Sequence, residues 1–274
     1  MQRKILYFIF TLILCLITGY FFASFSEKKN FSLPDSAEKQ KTISSPSDPS
    51  LPDIIIKTSE DPEASSEKAV EAKLPTISQK IEQSVPFIVQ APFGNWSDSN
   101  FQNACEEASM VTAMGWVKGE KTISPQEAQK RILEIIDFEN KNLGYSVDTD
   151  ASDVEKIFRE YFKHENVESK ENITLEDLKA ELKKDRVVII PVLGQALGNP
   201  NFTQPGPIAH MLVIIGYDPK TKEFITNDPG TRKGAGYRYA EDVLFAAIWE
   251  YPSGKTNPPL PTGKMMKAMI SIGK

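Results

Sequence analysis

The chain has 274 residues, a formal net charge of −5, two histidines and two cysteines. An acidic chain with no basic stripe excludes nucleic acid as a partner. Two histidines and no cysteine pair exclude a zinc site and a disulfide framework, so any folded part must be held by its core.

Residues 5–25 form an uncharged apolar run preceded by Arg3 and Lys4. That length suits a bilayer-spanning helix better than the shorter core of a cleavable signal peptide. It predicts a signal anchor over 1–26 with a short cytoplasmic N-terminus. The expected localisation is therefore the cell membrane, single-pass, with the folded domain extracytoplasmic. The expected partners are a lipid bilayer and a peptide or protein substrate. Cys15 follows Leu14 rather than a small residue, which argues against a lipoprotein acylation site. Residues 27–83 are rich in Ser, Pro, Glu, Lys and Asp, a composition that cannot bury enough apolar surface to fold. They read as a disordered linker. The folded domain is expected over 84–274, about 190 residues, ample for a core.

Val85-Pro86-Phe87-Ile88-Val89-Gln90 reads as a short edge strand, because proline is tolerated at sheet edges. A helix is expected from Cys105, capped by Asn103, with Ala104, Ala108, Val111 and Gly115 on one face. Ser124-Pro125-Gln126-Glu127 predicts a helix start, with a capping side chain, a first-position proline and an acidic third position. That helix carries Ile132, Ile135, Ile136 and Phe138 inward and fades near Gly144. Asp150 or Ser152 caps a shorter helix through Phe162, and Thr174 caps another ending near Lys184. Then the period changes. Strands are expected at 187–192, 211–216 and 223–227, the last two joined by a turn at 217–221, and a final helix at 240–249. Helices first and a mainly antiparallel sheet second make the class α+β, with the N-terminal helical part packed on the sheet.

Cys105 is the only cysteine outside the apolar N-terminal run and opens a helix, where the macrodipole and free amides lower a thiol pKa. A nucleophilic thiol needs a base. His164 sits in a polar stretch and reads as a surface residue. His210 enters an apolar strand from a long Gly/Pro loop at 194–207, a way to form a cleft wall, although a hydrogen-bonded core histidine fits it too. Asp228 follows the neighbouring strand of the same hairpin and could orient the imidazole, or belong to a plain turn. The Cys105 amide could serve an oxyanion, with Gln90 or Gln102 as a second donor. Trp96 and Trp249 read as packing residues or cleft walls. Glu106 and Glu107 read as first-turn partners of the helix dipole. Ser253-Gly254-Lys255-Thr256 lacks the first glycine of a phosphate-binding loop, and the glycines of 230–236 lack a dinucleotide-binding context. No cofactor is expected.

These motifs resemble the C39-like peptidase family within the papain-like cysteine protease fold. The resemblance is carried by Val85 to Gln90, by Asn103-Ala104-Cys105-Glu106-Glu107-Ala108-Ser109, by Ala209-His210 with the strand that follows, and by Asn227-Asp228-Pro229-Gly230. It implies Cys105 as nucleophile, His210 as general base, Asp228 as its orienting partner and Gln90 in the oxyanion hole. The chain departs from the bacteriocin-processing branch: Glu106 stands where that branch has glycine, Gln90 lies farther upstream, and no transporter is present. The Cys-Glu form is similar to the branch found in bacterial cell-surface proteins. The resemblance implies a cysteine peptidase forming an acyl-enzyme. A catalytically inactive binding module of the cell envelope and an amide acyltransferase are the alternatives.

Overall fold

The computed structural model describes residues 77–274. Among them are seven strands: β1 (Ile81–Glu82), β2 (Val167–Glu171), β3 (Val187–Leu193), β4 (Ala209–Asp218), β5 (Glu223–Asn227), β6 (Tyr237–Ala240) and β7 (Ala268–Ile272). The helices are α1 (Ser99–Gln102), α2 (Cys105–Val117), α3 (Pro125–Asn142), α4 (Ala151–Glu160), α5 (Leu175–Lys183) and α6 (Glu241–Ala247), with a 3-10 turn at Gly194–Leu197. The strands form one antiparallel sheet in the order β2-β7-β3-β4-β5-β6, with β1 paired to β4 outside that path. The class is α+β, as the order of sequence patterns predicts.

The central strands are apolar on both faces, and the helices explain why. Along β3 and β4, Val187, Ile189, Met211, Val213 and Ile215 face the core formed with α2, α3 and α4. The alternate residues Val188, Ile190, Val192, Leu212 and Ile214 face a second core with α5 and α6. Period-two alternation thus feeds two layers of helix through one sheet. Each fully buried Leu or Ile contributes on the order of 2 kcal/mol by leaving water.

Local chemistry sets the helix ends. Ser124 accepts the Glu127 amide ahead of Pro125, Asp150 accepts the Asp153 amide, and Thr174 and Asp177 form a reciprocal capping box. The expected cap at Asn103 is corrected: α2 is entered from Ala104 without a side-chain cap, and Asn103 instead donates to the Ser99 carbonyl. Nor is α2 one-sided, since every residue from Cys105 to Trp116 is buried. It is a core helix enclosed on all faces.

Residues 85–90 do not form the expected strand. Pro86 has no N–H to give, and the segment is tied by the Asn227 amide, which donates to the Val85 and Pro86 carbonyls at 3.4 and 3.1 Å. The strand that pairs instead is β1, and Ile77 is buried in the second core, so the packed chain reaches upstream of residue 84. The segments 1–26 and 27–76 lie outside the described residues. No helix among the described residues is long and apolar enough to cross a membrane. The expectation of a transmembrane signal anchor and a single-pass membrane localisation is corrected by that finding, and the lipid-bilayer partner expected of residues 1–26 falls on residues outside those described.

Candidate active site

Cys105 and His210 line one cleft of about 330 Å³ at the end of the sheet. Its other walls include Trp96, Asp148, Gly230 and the loop residues Phe202, Thr203 and Pro207. The long loop between β3 and β4 therefore forms the cleft wall expected of it. Trp96 reaches the cleft, whereas Trp249 is buried in the core. His164 lies elsewhere, its Nε2 within 2.9 Å of the Gly273 carbonyl.

His210 opens β4 and Asp228 follows β5, so the hairpin brings both to the same end of the sheet. The His210 Nε2–H donates to Asp228 Oδ1 at 2.8 Å, and both side chains are buried. Asp228 Oδ1 also accepts the Gly230 amide, and Oδ2 accepts the Tyr239 hydroxyl at 2.7 Å. Tyr239 in turn accepts from Asn199 Nδ2 at 2.7 Å. Burial works against the Asp228 charge. The nearby His210 charge and the hydrogen bonds from His210, Tyr239 and Gly230 outweigh it and hold the carboxyl below its ordinary range. With Nε2 committed to Asp228, Nδ1 is the ring nitrogen left to exchange a proton in the cleft. Phe202 packs edge-on against the ring at 5.3 Å between centroids. Gly230 leaves room for it: an added Cβ would stand 2.8 Å from His210 Cε1 and 3.0 Å from Phe202 Cε1.

The surroundings of Cys105 depart from expectation. Its thiol donates to Glu106 Oε2 at 3.0 Å, while Glu106 Oε1 accepts the Tyr251 hydroxyl at 2.5 Å. Burial, the Glu106 charge and that hydrogen bond, and then Asp148 and Glu107, push the thiol well above its ordinary range. A helix N-terminus alone would lower it; enclosure and three neighbouring acids win. Glu106 and Glu107 are not solvated dipole partners either, each being 1% exposed. Burial raises Glu106 despite its hydrogen bonds from Tyr251 and Cys105. Glu107 faces Glu139: burial and mutual repulsion raise Glu107 well above its range, and burial raises Glu139 to about 8. Their closeness in the core disfavours both being charged at once.

Gln90 also lines the cleft, but its Nε2 donates to the carbonyls of Phe101 and Gln102 at 3.1 and 2.9 Å. Both N–H groups go to the turn before α2, leaving Oε1 as the unpartnered end. The donor role expected of Gln90 in an oxyanion hole needs an N–H aimed at the cleft, and this geometry supplies none. The amide of Cys105 is available, since among the described residues it makes no backbone hydrogen bond. Sequence reasoning missed Asp148, Asn199, Tyr239 and Tyr251, and the clamping role of Glu106. None lies in a recognisable local motif, and only the adjacency of Glu106 to Cys105 was a visible signal.

Cys105 at a helix start and His210, paired with Asp228, thus come together around one cleft of an α+β fold. The chain belongs to the Peptidase_C39 like family, whose model matches residues 82–256. It is similar to a crystal structure of a protein described as a C39-like peptidase from Bacillus anthracis, at 16% identity over 72% of this chain and 98% of that chain, with a TM-score of 0.39. No curated protein matches it.

Proposed function

We propose that the chain is a cysteine peptidase that hydrolyses peptide bonds of a peptide or protein substrate. The observation that carries this reading is the His210–Asp228 pair buried at the wall of the cleft that Cys105 enters. A lone core histidine would not need a buried carboxylate itself held by a tyrosine and a backbone amide.

The reaction begins when the thiol leaves Glu106 and gives its proton to His210 Nδ1. Sγ then attacks the carbonyl carbon, and the Cys105 amide donates to the developing oxyanion. His210 returns the proton to the amine as the C–N bond breaks, leaving a thioester on Cys105. Water attacks the thioester, passing one proton to His210, and the acid leaves as that proton returns to sulfur. Asp228 keeps Nε2 protonated throughout and favours the imidazolium form. Gln90 positions the turn that presents Cys105.

The alternative of a non-hydrolytic binding module is favoured by one observation, the thiol's hydrogen bond to Glu106 in a buried site. A peptide-derived vinyl sulfone separates the two. The peptidase reading expects rapid labelling of the full chain, abolished by Cys105→Ala and slowed at least tenfold by His210→Ala. Labelling at the same slow rate in the wild type and in His210→Ala would reject it.

A further inference from the structure

Asp148 is the sole carboxylate on the wall of the Cys105 cleft, and neither Lys nor Arg lines that cleft among the described residues. The residue is 7% exposed, and Oδ2 has no hydrogen-bond partner. Its backbone is left-handed, with φ of 50°, a conformation Asp adopts more readily than most residues. Burial, followed by the charge of Glu106, raises its carboxyl to about 7, against a favourable contact from the Asn257 backbone amide. A buried carboxylate without a partner is costly unless a cation or donor arrives to complete it.

A second hollow, of about 820 Å³, adjoins the first and shares Trp96, Gln102, Thr203 and Gly230 with it. Arg232 and Lys233 line this second hollow, and both are exposed. Neither has an ion-pair partner among the described residues. Arg232 lies against the backbone of Gly94, where an added Cβ would stand 2.0 Å from Nη2. The shared wall carries Gly230, which touches His210. One end of the groove is therefore acidic beside Cys105, and the other is basic beyond His210.

We propose that this groove selects a peptide with a free ammonium group seated at Asp148 and a carboxylate seated at Arg232 and Lys233, the scissile bond lying between them. The assignment of a scissile bond rests on the peptidase reading, whereas the charge pairing can be measured without turnover. The ammonium is either a diamino-acid side chain or the peptide's own α-amino group. The same contact chemistry serves both, and a blocked form of each distinguishes them.

The test uses the full chain carrying Cys105→Ala and calorimetric titration with hexapeptide pools that are random except for one lysine. The pools are compared with Nε-acetylated, Nα-acetylated and C-terminally amidated versions. Blocking one of the two amines should weaken binding about tenfold, as should amidation, and whichever acetylation has the effect names the ammonium. Asp148→Asn should abolish the acetylation effect, asparagine being suited to the left-handed backbone. Arg232→Gln with Lys233→Gln should abolish the amidation effect. Equal binding of blocked and free pools, discrimination that survives Asp148→Asn, or no binding at millimolar concentration would overturn the proposal. Wild-type turnover of the same pools is read separately. Discrimination without cleavage would reject the peptidase reading and leave the ligand chemistry standing, and cleavage without discrimination would do the reverse.

Discussion

Glu106→Gln is the substitution that most directly probes how the Cys105 thiol is held. Glutamine keeps the shape, can still accept the Tyr251 hydroxyl, and removes the carboxylate that faces the thiol. Sulfur and oxygen lie 3.0 Å apart. Two unit charges at that distance repel by roughly 5 kcal/mol at an effective dielectric of 20. Relaxation and partial protonation of Glu106 will consume much of that. Even about 1.4 kcal/mol recovered is a tenfold gain in thiolate. Glutamine can also donate to the sulfur anion, which adds in the same direction. The expected outcome is iodoacetamide alkylation of Cys105 at least tenfold faster at neutral pH, with the pH midpoint of the rate displaced downward. Stopped-flow alkylation across pH 5–9 reads both, and a thermal melt establishes that the variant is folded. An unchanged or slower rate in folded protein would refute the reasoning that Glu106 holds the thiol neutral.

Three further outcomes are expected. Glu139 is raised from 4.5 to about 8, so the folded chain binds protons that the unfolded chain releases. The stability this group contributes is fully present below about pH 4.5 and falls by roughly 1.4 kcal/mol per pH unit until about pH 8. Denaturant titrations from pH 5 to 8 should show this decline, and Glu139→Gln should flatten it; a decline of equal slope in the variant would contradict the assignment. Tyr239→Phe leaves Asp228 Oδ2 and Asn199 Nδ2 without their shared partner, at a cost of about 1–3 kcal/mol for buried groups. Its urea midpoint should fall and peptide turnover should drop about tenfold, with KM less affected than kcat. Gly230→Ala drives a methyl into the His210 ring and should lower kcat/KM by about 100-fold. Unaltered turnover in that variant would show that the ring position is unimportant.

Much of the scaffold was readable because its signals are local. The caps at Ser124, Asp150 and Thr174 act within three residues, and the runs in β3 and β4 are too apolar to lie anywhere but in a buried sheet. Apart from the two-residue β1, which lies in the stretch read as linker, the strands left unread are of two kinds. β2 and β6 are the sheet's two edges, and their charged residues Glu168, Lys170 and Arg238 break up the apolar pattern. β7 is central, but it is a short run reached through a proline-rich stretch, and its pairing with β2 and β3 spans about a hundred residues or fewer of intervening chain. The site divides the same way. Cys105, His210 and Asp228 occupy positions with recognisable flanks. Tyr251 and Asp148 matter through the fold, which carries them to Glu106 or to the cleft wall from segments far along the chain. The thiol's environment was the largest departure, because helix position is written in the sequence, whereas the burial of Glu106 and Glu107 and the approach of Asp148 are set by the fold.

The enclosure of Cys105 has a consequence for chemical durability. Peroxides attack thiolates far faster than thiols, and only when they can reach them. A sulfur that is neutral, enclosed and hydrogen-bonded to Glu106 in the unoccupied cleft is a poor target for oxidation to sulfenic acid. The contact with Glu106 that holds the thiol neutral also shields it from the first step of oxidation.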